Sequence, residues 1–407
     1  MIKLKIKNVG PIKQGYNTED GFIPMNNVTL FIGSQGSGKS TIAKVYSTLS
    51  WIEKALVRGD FTPNYLARYN RFKKQLAYQN IGNYLSDKSE IEYIGNAFKI
   101  KYKNNKLTID RNIKSNNYKF PKIMYVPAER NFVSSVERPD LIKRLPLPLY
   151  TFLDEYEEAK RNYTDSINLP IGNLKFEYRK QNKKSWLIGS DYKIELLEAS
   201  SGFQSFVPLF LVTKYLSKII NKKENNSYRE INIKEERIIR EEIDKILSNR
   251  NISEDVRRVL LEKLSARFKY SCFVNIVEEP EQNLYPLSQK EVLFDLLKSK
   301  NKEKENQLII TTHSPYIINY LTLAVKGHIV KNKINNNSKL LEKLQLIVPL
   351  EATISPENIS IFQIDNGIIN KLSSYNGLPS DENYLNEFLA KSNDLFVELL
   401  KIEDLCQ

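Results

Sequence analysis

The sequence predicts an α/β protein built on a mixed, largely parallel sheet, with a helical lobe and a short charged helical hairpin inserted into it. Three observations lead there. The apolar run at residues 28–32 ends in the glycine-rich string G-S-Q-G-S-G-K-S, Gly33 to Ser40, and a helix-like stretch opens at Thr41-Ile42-Ala43. Two more apolar runs, 273–277 and 308–312, flank a helical stretch at 287–297, the spacing of a parallel strand–helix–strand unit. The chain opens with Ile2, Leu4 and Ile6 alternating with lysines, the period of a half-buried strand.

The remaining elements follow in order. After a turn at Asn8-Val9-Gly10-Pro11 and the strand into the glycine string, helical periodicity runs to about residue 56, with Ile42, Val45, Tyr46 and Leu49 on one face. Residues 63–87 have the pattern of a polar helical region, and short strands are expected at 90–94, 97–103 and 106–110. Ile123-Met124-Tyr125-Val126 is a buried-strand pattern stopped by Pro127. Residues 140–165 suggest helix, 172–196 hairpin strands, and 203–220 a strongly apolar helix. Residues 222–268, dense in mixed charge, suggest the helical hairpin, which the pattern makes more a solvated insertion than an arm for DNA. A strand–turn–strand at 359–371 and a helix at 382–402 close the chain. The expected division is an N-terminal lobe (1–135), a helical lobe carrying the hairpin (136–270), a C-terminal lobe (271–345) and an extension (346–407).

Composition sets wide bounds. With 407 residues, 41% of them hydrophobic, the chain can build a substantial core. Lys and Arg number 61 against 48 Asp and Glu, a formal charge of +13. That surplus suits nucleic acid or an acidic partner, although a Lys-, Asn- and Ile-rich composition also follows from biased codon usage. Two cysteines, Cys272 and Cys406, give no disulfide framework, and no apolar run is long enough to span a bilayer. The expectation is a cytoplasmic protein with no membrane partner.

The glycine string is a phosphate-binding loop. Its glycines let successive backbone N–H groups converge on phosphate oxygens, and the following helix start adds positive potential. Gly33, Ser34, Gln35, Gly36, Ser37, Gly38, Lys39, Ser40 and Thr41 are therefore the expected nucleotide contacts, with Lys39 reaching the β- and γ-phosphates and the Ser40 hydroxyl meeting Mg²⁺. The 273–277 strand ends in Glu278-Glu279-Pro280-Glu281. Carboxylates at the carboxyl end of a parallel strand sit where such sheets bind ligands. Glu278 is the expected Mg²⁺ contact and Glu279 the base that polarises water; by themselves the pair would equally be an exposed acidic turn. The next strand ends in Thr312-His313-Ser314, which puts His313 within reach of a γ-phosphate, whereas His328 has no such setting. Ser200-Ser201-Gly202-Phe203-Gln204 precedes the apolar helix and, taken alone, is a helix cap.

The order of these motifs resembles that of the ATP-binding-cassette ATPases, and within them the chromosome-maintenance, Rad50-like and OLD-like branches. The string Val277 to Pro286, V-E-E-P-E-Q-N-L-Y-P, is similar to the OLD-like acidic motif. The resemblance covers about residues 1–320 and implies an ABC-type P-loop ATPase head that uses ATP and Mg²⁺. It implies that Ser201, Gly202 and Gln204 form a signature that meets ATP held by a second subunit, so that two copies clamp nucleotide head to tail as a dimer or higher homo-oligomer. Phe203 stands where the usual signature has a second glycine, Glu278 where most members have Asp, and the 222–268 insertion is too short for a Rad50-type coiled coil. The class also uses a Gln to sense Mg²⁺; Tyr125 to Asn131 occupies its place without one, leaving Glu129 or Arg130 as substitutes. After about residue 320, Asp365 and Asp381 are isolated, so no built-in nuclease is expected.

The loop, the Ser50-Trp51-Ile52-Glu53-Lys54 stretch and Pro127-Ala128-Glu129-Arg130-Asn131 look most like the ATPase of the phage anti-restriction-induced system (PARIS), with that of the Septu system close by. The resemblance implies an antiphage switch that senses a viral trigger protein and holds or releases a separate effector, such as a nuclease. A DNA-repair or recombination ATPase acting on double-stranded DNA is the competing class.

Overall fold

The computed structural model describes residues 1–405 except 19, 113–117, 143, 164, 222–240, 244, 250–251, 266–269 and 335–336. Of the first arm of the expected hairpin, 222–252, residues 222–240 lie outside the described residues and 241–243 and 245–248 are helical; the second arm, expected at 253–268, is the helix Glu254–Ser265.

Two sheets enclose one central helix. The main sheet has seven strands in the order Gly15–Tyr16, Ile368–Lys371, Ile359–Asp365, Val28–Gly33, Gln307–Thr312, Cys272–Glu278 and Pro121–Val126. The last five are mutually parallel. Ile368–Lys371 runs antiparallel to its neighbour Ile359–Asp365, and Gly15–Tyr16 runs parallel to Ile368–Lys371. The central strands Val28–Gly33 and Cys272–Glu278 are buried along their whole length, which is why they are continuous Val, Ile, Leu and Phe runs and not alternating ones. A second, antiparallel sheet of five strands is built around Ile2–Val9 and Leu85–Ile94.

The helix Lys39–Arg58 lies between these sheets. Its Ile42, Val45, Tyr46, Leu49 and Ile52 pack in one cluster with Ile276 and Ile309 of the main sheet and Leu4, Ile6 and Ile91 of the smaller one. It is therefore buried on nearly every face, not on the single face that periodicity indicates. The other face of the main sheet is covered by Leu147–Asn162, Ser201–Asn221, Pro286–Asn301 and Pro315–Lys333, with Phe152, Phe206, Leu293 and Ile317 in a second cluster.

The expected helical region 63–87 is instead two short helices, Pro63–Leu66 and Arg71–Ala77, followed by a 3₁₀ turn and the strand Leu85–Ile94. Asn70 and Asn80 adopt φ of 61° and 59°, the left-handed region Asn tolerates better than most residues, and so break the helix. The 359–365 strand pairs directly with the phosphate-loop strand, Ile361 opposite Leu30, so part of the expected C-terminal extension lies inside the main sheet. Among the described residues, no helix is long and apolar enough to cross a membrane.

Candidate nucleotide site

Parallel pairing brings the motifs to one edge. Val28–Gly33, Gln307–Thr312, Cys272–Glu278 and Pro121–Val126 are adjacent and point the same way, so Ser34, His313, Glu279 and Pro127 all leave the sheet at its carboxyl end. This is where open parallel sheets bind ligands.

The loop itself is shaped by three glycines. Gly33, Gly36 and Gly38 have φ of 151°, 72° and 109°. At Gly33 a Cβ would sit 2.4 Å from the Ile364 carbonyl oxygen of the neighbouring strand. Ser34, Gln35 and Gly36 are exposed at the loop tip, Thr41 is buried behind it, and the Ser37 Oγ is buried without a hydrogen-bond partner. Lys39 folds back across the loop, donating to the Gly33 and Ser34 carbonyls at 2.8 Å each. Its Nζ also lies 3.4 Å from His313 Nδ1. Burial pulls the Lys39 amine down to about 8, against the opposing pull of Glu279, Glu281 and Glu278.

Glu279 and His313 meet across the gap between their strands, Oε1 to Nε2 at 3.3 Å. The side chains are 35% and 29% exposed, so such a pair contributes at most about 1 kcal/mol to stability. Its effect on the carboxyl is clearer: the hydrogen bond from His313, helped by its charge, by Lys39 and by Arg130, holds Glu279 below the usual glutamate range despite burial. Glu279 has φ of 43° and donates its N–H to Thr311 O at 2.8 Å. A non-glycine residue in that region costs on the order of 1–3 kcal/mol.

Arg130 accounts for how the turn is held. Its side chain is completely buried. Nη1 donates to Glu278 O at 2.6 Å and Pro127 O at 3.3 Å, Nη2 to Glu279 O at 2.7 Å, and Nε to Ser205 O at 3.2 Å. Hydrogen bonds to a charged group contribute about 1.5–3 kcal/mol each, enough to offset the strain at Glu279. Burial lowers the Arg130 guanidinium to about 10, so it is cationic at neutral pH. With all three nitrogens on backbone carbonyls, Arg130 supports the turn from beneath, whereas Glu129 is exposed.

Glu278 is 4% exposed; its Oε2 accepts from Ala128 N at 3.3 Å and its Oε1 is buried without a partner. An orphaned buried carboxylate oxygen fits a cation or a cation-bound water. Ser40, half-buried at the first turn of Lys39–Arg58, has a hydroxyl of the type that Mg²⁺ takes. Glu281 was not singled out by the sequence. Its Oε1 accepts from Thr312 Oγ1 and from His313 N, both at 2.7 Å, which fixes the backbone that carries the histidine. The only signal for it was its place in the E-E-P-E string. His328 lies apart, its Nε2 3.0 Å from Asn332 Nδ2.

The helix Ser201–Asn221 begins two residues earlier than periodicity indicates, so Ser201 and Gly202 belong to its first turn. Ser201 is exposed; a Cβ on Gly202 would meet the Asn283 carbonyl oxygen at 2.7 Å. Gln204 Nε2 donates to Leu197 O at 2.7 Å. Pro208 removes the N–H that would reach the Gln204 carbonyl, and Ser134 Oγ donates to it instead at 2.5 Å.

The chain is 26% identical over 360 residues to the endonuclease GajA of Bacillus cereus (strain HuB5-5), a match covering 72% of this chain and 52% of that one. It thus spans about half the length of that relative. Among solved structures, the SMC head domain from Thermotoga maritima aligns over 92% of this chain and 98% of its own at 12% identity and a TM-score of 0.34. A dimeric ATP-binding cassette in a post-hydrolysis state with ADP and Pi aligns over 92% and 100% at 11% identity and 0.31. Residues 28–319, well over half of the chain, match a family model, and the protein accordingly belongs to the family described as "AAA domain, putative AbiEii toxin, Type IV TA system".

Proposed function

We propose that this protein is an ATP-hydrolysing switch of a bacterial antiphage system, working as a head-to-tail assembly of like subunits and controlling a separate toxic effector. The observation that carries the enzymatic half is the convergence of Lys39, Glu279 and His313 beyond one sheet edge, with Glu279 paired to His313 at 3.3 Å. ATP is cradled by Gly33 to Thr41, with Lys39 turning from its own loop carbonyls to the β- and γ-phosphates. Glu279, kept ionised by its neighbours, accepts a proton from a water that attacks the γ-phosphorus. The bond from that phosphorus to the β,γ-bridging oxygen breaks, leaving ADP and phosphate, while His313 donates toward the γ-phosphate oxygens. Ser40 and Glu278 would hold Mg²⁺, which when bound neutralises phosphate charge.

Exposed Ser201, at a helix N-terminus beside the acidic turn and followed by the buried Gly202, suits contact with nucleotide held by a second copy. The switch role is supported by the family description and by the endonuclease relative. We take the PARIS-type ATPase as the nearest pattern, its partners a viral trigger protein and a nuclease effector.

The decisive experiment is Glu279→Gln. ATP binding should persist while the steady-state rate falls by about 10²-fold or more. A variant that hydrolyses ATP like the wild type would remove Glu279 as the base.

A cleft of about 800 Å³ lined by Tyr65, Arg68, Arg71, Lys74 and Arg257 favours a second reading, a repair-type ATPase on double-stranded DNA. Under it, DNA stimulates the ATPase rate and the stimulation fades as salt rises from about 50 to 200 mM. Under the protein-sensing reading the rate is indifferent to DNA.

A further inference from the structure

We propose that Arg130 is a positioning residue that couples the Glu279 carboxylate to the exposed first turn of helix Ser201–Asn221. This inference rests on the ATP-hydrolysing reading above and adds to it the part through which apposition of a second copy acts on chemistry. Arg130 touches no reacting atom.

A single planar guanidinium spans the two elements. Two of its nitrogens hold the Glu278 and Glu279 carbonyls at 2.6 and 2.7 Å, and its Nε holds the Ser205 carbonyl at 3.2 Å. Because the guanidinium is rigid, its two ends cannot shift independently. Two further contacts run in parallel with it. Ser205 Oγ donates to Gln282 Oε1 at 3.1 Å, and Gly202 packs against the Asn283 carbonyl with no room for a Cβ. The first turns of the helix and the Glu278–Asn283 turn therefore behave as one block. Ser201 is the exposed residue of that block, and the Glu279 carboxylate is the part of it that meets His313.

The peptide of Glu279 is the sensitive point. Its φ of 43° is held from above by Thr311 O and from below by Arg130, so its side chain reaches His313 only while both contacts stand. A displacement of Ser201 by a docking subunit is passed through Ser205 O and the guanidinium to the carboxylate. Lysine has no planar fork and offers all its donors from one nitrogen, so it would restore the charge but only part of the coupling.

The test compares Arg130→Gln, Arg130→Lys, Gln282→Ala and Glu279→Gln in the full chain, measuring kcat, KM, binding of a fluorescent ATP analogue and thermal melting. Arg130→Gln should lower kcat by about 100-fold, as a misplacement of about 1 Å does, while KM and analogue affinity stay within about threefold. Arg130→Lys should recover part of the loss. Gln282→Ala, which cuts only the parallel Ser205 link, should lower kcat by roughly 3- to 10-fold with affinity unchanged. Wild-type kcat in both Arg130 variants overturns the inference, and so does a loss confined to ATP affinity. If the Arg130 variants fail to fold, an unchanged kcat in Gln282→Ala overturns it. An active Glu279→Gln sinks the hydrolytic reading itself, whereas an inactive Glu279→Gln beside a fully active Arg130→Gln removes only the coupling.

Discussion

On the proposed reading Lys39 meets the phosphates as an ammonium, and its burial makes that charge sensitive to pH near neutrality. Its pKa in the free protein is pulled down to about 8, so the free protein loses the proton as pH rises through that value. Bound triphosphate restores the charged form. ATP affinity should hold below about pH 8 and weaken by about tenfold per unit above it, which isothermal titration at pH 7, 8 and 9 would measure. A flat profile would mean that Lys39 does not carry the phosphate contact. Glu279 shifts in the same direction with the opposite consequence, since a lowered pKa favours the charged form of a carboxyl. Its pKa is depressed, so the base is ionised throughout the neutral range and is lost only as pH falls below the usual glutamate value. The rate of hydrolysis should show no glutamate limb between pH 6 and 8. Glu279 and His313 stood out in the sequence because each follows directly on a strong strand pattern, and Lys39 because it follows the last glycine of the glycine string. Arg130 was legible only as one of two stand-ins for a missing Gln. A buried arginine has no local signature when its partners, Ser205 and Glu278, lie 75 and 148 positions away.

At the scale of elements, the phosphate-loop strand, the acidic strand, the histidine strand and the helix between the last two all lay within a residue or a few of their expected places. Fully buried parallel strands are the easiest pattern to find, since both faces demand apolar side chains. The region 63–87 was misjudged because its lysines and tyrosines suit a helix while two asparagines in left-handed conformation break it. The position of the strand Ile359–Asp365 was not readable either, because parallel pairing with residues 28–33 depends on a crossover and not on local pattern. The start of Ser201–Asn221 carries a prediction of its own. In Gly202→Ala the new methyl meets the Asn283 carbonyl, backbone that cannot turn aside. The substitution should lower unfolding free energy in urea by about 1–3 kcal/mol and weaken ATP-dependent association. Unchanged stability would show that this turn and the acidic turn are not in close contact.

On the proposed reading, the whole molecule places its chemistry at one edge of a sheet and the exposed Ser201 on another element, joined through a buried arginine, and the site is complete when a second nucleotide-loaded copy faces it. Its +13 charge bears on the choice of partner and not on the fold. The most direct test of the account is the solution mass of Glu279→Gln, measured by sedimentation velocity with and without ATP and Mg²⁺. The account expects the mass at least to double when ATP and Mg²⁺ are added, and to fall back when Ser201→Arg is introduced on the exposed turn. An unchanged mass in saturating ATP, with nucleotide demonstrably bound, would contradict it.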